Sequence, residues 1–243
     1  MKMLKDEFIL TLINKADKYN INLNRLQAEM LYEYKELMIE WNKKVNLTAI
    51  TDDNEIITKH FIDSLLSIKN IKAKDKVIDV GTGAGMPGII LSIYFNGEVE
   101  VTLLDSLNKR INFLNIVIEK LQLENIKTVT GRAEEMAQNP DFREKYDIAI
   151  ARAVANMNIL VELLAGFVKV NGLCICMKGR QAKEELQNSK KAIEELGLSN
   201  IDISEYILGG TEENKRMIIC IRKIKGLANK YPRIYGQIKK KPL

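Results

Sequence analysis

Between Val77 and Gly88 the chain reads Val-Ile-Asp-Val-Gly-Thr-Gly-Ala-Gly-Met-Pro-Gly, with glycines at 81, 83, 85 and 88 where an apolar strand turns into a helix. Glycines there let a backbone approach a ligand closely, so this is a nucleotide-site loop. Two cofactor classes use one. The spacing Gly83-x-Gly85-x-x-Gly88 formally satisfies the dinucleotide fingerprint, which alone is a weak signal. The strand ends at Val80, however, so the first loop glycine is Gly81, and counting from it puts Met86 where a dinucleotide site needs its third glycine. A side chain there crowds a pyrophosphate resting on the helix start. S-adenosylmethionine has no pyrophosphate, and the constraint disappears. Pro87 suits a first helical turn.

Acids flank the loop. Asp79, two residues before Gly81, suits a cationic ligand and would repel phosphates. Asp105 ends the next strand, Leu103-Leu104-Asp105, and is placed to accept hydrogen bonds from two ribose hydroxyls. The bland alternative is that both acids cap neighbouring turns. After the third strand, Thr130 to Glu135 brings backbone groups of Ala133 and the side chain of Glu134 towards the adenine edge, although an early acid also caps a helix. Arg152 is a cation at the carboxyl end of a central strand, the ligand side of such sheets, and is the one catalytic candidate.

The elements that must position these residues follow from periodicity. Residues 1–72 read as helices: Leu4, Phe8, Leu12 and Ile13, then Leu26, Met30, Leu37 and Trp41, recur at helical spacing, and Glu55 to Ile68 forms a third amphipathic stretch. From Lys76, strands are expected at Lys76–Val80, Val99–Leu104, Ile126–Val129, Tyr146–Ile150, Gly172–Met177, Ile201–Tyr206 and Arg216–Arg222. Helices are expected between them, among others over Pro87–Tyr94, Ser106–Leu123, Asn156–Val168 and Gln181–Leu196. The alternation specifies an α/β class, a Rossmann-like, mostly parallel seven-stranded sheet over residues 73–224 with a helical extension before it.

The charge is unevenly placed. The 243 residues carry a net +5, yet Arg222 to Leu243 holds eight Lys or Arg and no acid, leaving the rest at −3. A basic tail over 225–243, interleaved with Tyr231 and Tyr235, suits a phosphate-rich partner, and equally a solvated tail. Lys109, Arg110, Lys178 and Arg180 are candidate phosphate contacts, or members of a solvated face. No run approaches the roughly 20 apolar residues of a membrane span, and Met1 to Asp6 mixes charges where a signal peptide is apolar, so the cytoplasm is the expected address. Cys174, Cys176 and Cys220 are an odd number, expected as free thiols. Cys174 and Cys176 face one side of a strand, and with the lone histidine, His60, far away no metal site is expected.

Taken together, the segments resemble the small-subunit rRNA methyltransferase G family, also described as glucose-inhibited division protein B. The resemblance rests on Trp41 to Thr48, His60 to Leu65, Asp79 to Gly88, Leu103 to Ser106 with Lys109-Arg110, Arg132 to Glu135, Arg152-Ala153, Lys178-Gly179, Tyr231 to Arg233 and Lys241 to Leu243. It runs from about residue 40 to the end. It implies methyl transfer from S-adenosylmethionine to N7 of a guanine in 16S rRNA near the decoding centre. It also implies cofactor contacts at Gly81, Met86, Ala133, Glu134 and Arg152; Asp105 and the loop residues Asp79 and Gly83 join them by topology. Arg233, within the closing motif, is expected on the RNA. One departure is Ile238, where the family has proline.

Guanine N7 carries a lone pair and no proton, so positioning suffices and no general base is needed. The chain fits: an amino-group enzyme would show Asp or Asn before Pro-Pro-aromatic where Ala151 to Val154 stands, and a cytosine-C5 enzyme would need a cysteine nucleophile there. His60 is expected to pack or hydrogen bond on its helix, or to shape the RNA site, and not to transfer protons.

Overall fold

The computed structural model describes residues 2–243, residue 213 by its backbone alone, so Met1 of the helical region lies outside the described residues. Seven strands form where the apolar runs predict them: β1 (Lys76–Val80), β2 (Glu100–Asp105), β3 (Ile126–Thr130), β4 (Tyr146–Arg152), β5 (Val168–Lys178), β6 (Leu198–Ile207) and β7 (Lys215–Lys223). They make one sheet in the order β3-β2-β1-β4-β5-β7-β6. The first five run parallel, and β7 inserts antiparallel between β5 and β6. The chain moves outward from β1 to β2 and β3, then returns to place β4 on the other flank of β1. That reversal opens a crevice beyond the carboxyl ends of β1 and β4, where ligands of such sheets bind.

Helices cover both faces. In chain order they are α1 (Lys5–Asp17), α2 (Arg25–Asn42), α3 (Asp53–Glu55), α4 (Asp63–Leu65), α5 (Gly88–Phe95), α6 (Asn108–Lys120), α7 (Ala133–Met136), α8 (Met157–Ala165), α9 (Ala182–Asn188), α10 (Lys190–Glu195) and α11 (Tyr235–Lys240). Asn24 starts α2 through a reciprocal capping box with Gln27. The stretch expected as one amphipathic helix from Glu55 is helical but irregular. Its middle, Ile56–Ile62, is wound as a π-helix, and a 3₁₀ turn, Leu66–Asn70, closes it. Such wide turns recur at functional sites. The helix expected over Gln181–Leu196 is split, because the buried Ser189 hydroxyl donates to the Glu185 carbonyl (2.6 Å) and bends the backbone there.

Alternation along each strand assigns side chains to two cores. Val77, Leu103 and Ile175 face one core with α2, α5, α6 and the N-terminal helices. Ile78, Leu104, Cys174 and Cys176 face the other with α8 and α10. The N-terminal helices are therefore a layer of the sheet's own core. Phe8, Tyr34, Phe61 and Phe113 are fully buried in it, each contributing roughly 1.5–3 kcal/mol through the area it removes from water. Tyr34 reaches furthest: its hydroxyl donates to the Ala84 carbonyl at 2.5 Å, tying α2 to the glycine loop.

Candidate cofactor and substrate site

The glycine loop folds back over β2. Gly81 and Thr82 N–H groups both donate to the Leu104 carbonyl (2.8 and 3.0 Å). Gly81 holds φ at +71°, and a Cβ built on it would lie 2.8 Å from a Val154 methyl, so both conformation and space require glycine. Asp79 is wholly buried and holds the two ends of the loop together: one carboxylate oxygen accepts from the Thr82 hydroxyl (2.7 Å) and the Gly88 N–H (2.8 Å). Its other oxygen has no partner within the protein, and burial pushes its pKa up to about 6. Asp79 thus shapes the loop through one oxygen, and it is not among the residues bordering either cavity at this end of the sheet. Gly83 serves similarly through its N–H, which donates to Asp105 at 3.0 Å.

Asp105 closes one side of a cavity of about 350 Å³, whose wall also includes Gly81, Arg132, Ala133, Glu134 and Tyr235. Its carboxylate accepts from Gly83, from the Leu107 N–H (2.9 Å) and from Arg110 (3.1 Å). Four sequence-predicted residues, Gly81, Asp105, Ala133 and Glu134, thus meet at one cavity. Ala133 and Glu134 open α7, the turn after β3, as the register of β2 against β3 dictates, with Asp105 opposite Thr130.

A second cavity of about 600 Å³ abuts the first, and Ala153 and Val154 border both. Arg152 stands in its wall beside His60, Asp63, Lys178 and Arg216. The Arg152 guanidinium donates to the Lys59 carbonyl (3.0 Å) and to Asp63 (3.0 Å) and lies 3.0 Å from the Met86 sulfur. Met86 is itself buried beneath this contact, so its side chain supports Arg152, and it is not among the residues bordering the first cavity. His60 shares a hydrogen bond with the Thr48 hydroxyl (2.8 Å). Burial, with the Arg152 charge, pushes its pKa down to about 4, leaving a neutral imidazole. Lys59, Asp63 and Arg216 had no role in the sequence reading; Asp63 lies in the motif His60 to Leu65, but nothing local marks it as facing a cavity.

The expected phosphate contacts divide. Lys109 and Arg180 are exposed. Arg110 is engaged with Asp105, Lys178 with Glu185 (2.7 Å) and the Ala155 carbonyl, and Arg233 with the fully buried Glu162 (2.6 Å). Those three are each engaged within the protein, and of their acid partners only Glu162 accepts from no other donor among the described residues. Nor is 225–243 a free arm. Tyr231 and Ile238 are buried, so the isoleucine that replaces proline is an anchor. The three cysteines are free and buried, and burial raises every thiol. Among the described residues no cluster of His, Cys, Asp or Glu is arranged to hold a metal, and no helix is long and apolar enough to cross a membrane.

The description "GidB: rRNA small subunit methyltransferase G" matches residues 27–218. The chain belongs to this family. A GidB-family relative from Acetivibrio thermocellus, ribosomal RNA small subunit methyltransferase G, is 51% identical over 233 residues, covering 96% of this chain and 95% of the relative. One from Clostridium botulinum (strain Eklund 17B / Type B), of the same name, is 48% identical over 230 residues, covering 94% and 95%. Among solved structures, Aeropyrum pernix fibrillarin with natively bound S-adenosyl-L-methionine aligns with a TM-score of 0.52 at 15% identity, over 65% of this chain and 72% of that one. At that identity the likeness is one of fold, and the fold of this GidB-family chain is the S-adenosylmethionine methyltransferase type.

Proposed function

We propose that this chain transfers a methyl group from S-adenosylmethionine to N7 of a guanine in the 16S rRNA of the small ribosomal subunit, in the cytoplasm. The observation that carries the reading is the pair of abutting cavities sharing Ala153 and Val154 at the carboxyl ends of β1 and β4. The smaller suits an adenosine: Asp105 has acceptor capacity beyond its present bonds for ribose hydroxyls, Ala133 and Glu134 offer polar groups to a ring edge, and Gly81 keeps the floor free of a side chain. When bound, S-adenosylmethionine supplies an electrophilic methyl on a positively charged sulfonium.

The larger cavity suits a flipped purine. Asp63 offers the carboxylate that guanine's N1–H and N2–H₂ donors need and adenine lacks, and Arg152 and Arg216 (Nε 3.6 Å from Asp63) hold it in place. A base in one cavity and an adenosine in the other meet across Ala153 and Val154, which is catalysis by proximity. N7 has no proton to remove, and the residues agree: His60 is neutral and bonded to Thr48, and no thiolate faces either cavity. Exposed Lys109, Arg180, Lys239 and Lys240 supply cations for phosphates outside.

The test uses small subunits and 16S rRNA from a strain lacking the gene, incubated with tritiated S-adenosylmethionine, with N7-methylguanine located by reductive strand cleavage. One labelled guanine in 16S rRNA is expected. Label on an exocyclic amino group, or none in any rRNA substrate, would overturn the assignment.

A further inference from the structure

The adenosine cavity has one wall that the parallel sheet does not supply. Tyr235, first residue of α11, borders it together with residues of the loop after β3, and the segment leading to it is fixed at several points. Arg143 donates to the carbonyls of Leu227 (3.1 Å), Ala228 (3.3 Å) and Tyr231 (2.7 Å). Gln138 donates to the Pro232 carbonyl (2.9 Å), and the buried Tyr231 hydroxyl donates to Glu195 (2.5 Å). Arg233, two residues before Tyr235, is bound to Glu162 through its backbone N–H (2.9 Å), Nε (2.8 Å) and Nη2 (2.6 Å). Ile238, one turn after Tyr235, is fully buried. A solvated tail needs none of these contacts. Together they hold Tyr235, a partly exposed aromatic residue, in the cavity lining.

We propose that Tyr235 is a cofactor-binding residue, its ring forming the outer wall against the adenosine moiety, and that the anchored segment 225–243 exists in part to hold it there. An aromatic face against a flat base gives affinity without hydrogen-bond geometry, and a tyrosine loses little rotamer freedom when its backbone is already fixed. The inference rests on S-adenosylmethionine as cofactor and is independent of the RNA target.

Calorimetric titration with S-adenosylhomocysteine, without RNA, tests it. Tyr235→Ala is expected to weaken binding about tenfold, the equivalent of one base–aromatic contact, Tyr235→Leu to weaken it less, and Tyr235→Phe to remain within about twofold. 5′-Methylthioadenosine, which lacks the amino-acid end, should show the same relative loss. If Tyr235→Ala binds S-adenosylhomocysteine like the wild type while methylating RNA slowly, the ring serves an RNA base and the proposal is overturned. If the alanine variant unfolds, hydrogen exchange on the wild type decides: S-adenosylhomocysteine should slow exchange across 234–238, and unchanged exchange there overturns it. A wild type that does not bind S-adenosylhomocysteine at all would instead bring down the cofactor reading itself.

Discussion

Arg152 lies 3.0 Å from Asp63 through one guanidinium nitrogen and 3.0 Å from the Met86 sulfur through the other, so one side chain bridges the helical layer and the glycine loop. Both it and Asp63 are largely shielded from solvent. Arg152→Lys keeps the charge but loses the planar fork that reaches both sides. Methyl transfer at saturating cofactor should fall about 100-fold, the order of loss that a displacement of roughly 1 Å produces. Asp63→Ala should do as much and also destabilise the fold by about 3 kcal/mol, since it strands a poorly solvated cation. Single-turnover kinetics with denaturant unfolding would check both; an Arg152→Lys enzyme with wild-type turnover refutes the bridging role.

Two buried groups give the stability curve opposite slopes in acid. His60 is pushed from 6.5 down to about 4 by burial and by Arg152. Between those values the unfolded chain takes up a proton that the native imidazole refuses, so stability falls as pH drops through that window. Asp79 is pushed from 3.8 up to about 6 by burial. The native state there retains a proton the unfolded chain has released, and this contribution is lost as pH rises from 3.8 to 6. The two partly cancel. His60→Gln removes only the first, so on going from pH 7 to pH 5 the variant should lose about 2 kcal/mol less than the wild type. Urea midpoints at the two pH values measure this, and parallel losses would refute a buried neutral His60.

Gly88 tests the packing of the loop. A Cβ there would lie 2.2 Å from a Leu103 methyl and 2.9 Å from the Asp79 carboxylate. Both neighbours are fully buried, so something in the core must move, at a cost of about 1–3 kcal/mol. Gly88→Ala should lower the melting temperature by several degrees and weaken S-adenosylhomocysteine binding, because the Asp79 clamp on the loop opens. Unchanged calorimetric melting in that variant would show that the clamp is not needed.

What the sequence reveals of this site is what lies close along the chain. The register of Gly81 after Val80, Asp105 at the end of β2 and Ala133-Glu134 after β3 each depend on one strand and the turn that follows it, and strand periodicity is legible. The surroundings of Asp79 and Met86 are not legible in this way, because a type and a position do not say which way a side chain faces: Asp79 bonds Thr82 and Gly88, and Met86 lies under Arg152. Tyr34 on Ala84 joins residues 50 apart, and Arg233 on Glu162 residues 71 apart. No local pattern announces such pairs, so lysines and arginines that look like an RNA-binding run include several committed to buried acids.

The pair Arg233–Glu162 separates charge from position. Glu162 has no exposed surface and receives three hydrogen bonds from Arg233. Arg233→Ala leaves a buried carboxylate without its cation, and the expected loss is about 3–5 kcal/mol. Replacing both partners by apolar residues, Arg233→Met with Glu162→Leu, removes the stranded charge and should recover much of that loss, though not all of it, because the Arg233 backbone N–H also loses its acceptor. The single variant should further expose 225–243 to trypsin and weaken S-adenosylhomocysteine binding, since Tyr235 would no longer be held at the cavity. If the arginine is instead an RNA contact, Arg233→Ala would leave melting temperature, proteolysis and S-adenosylhomocysteine affinity unchanged and weaken only RNA binding, with a shallower salt dependence.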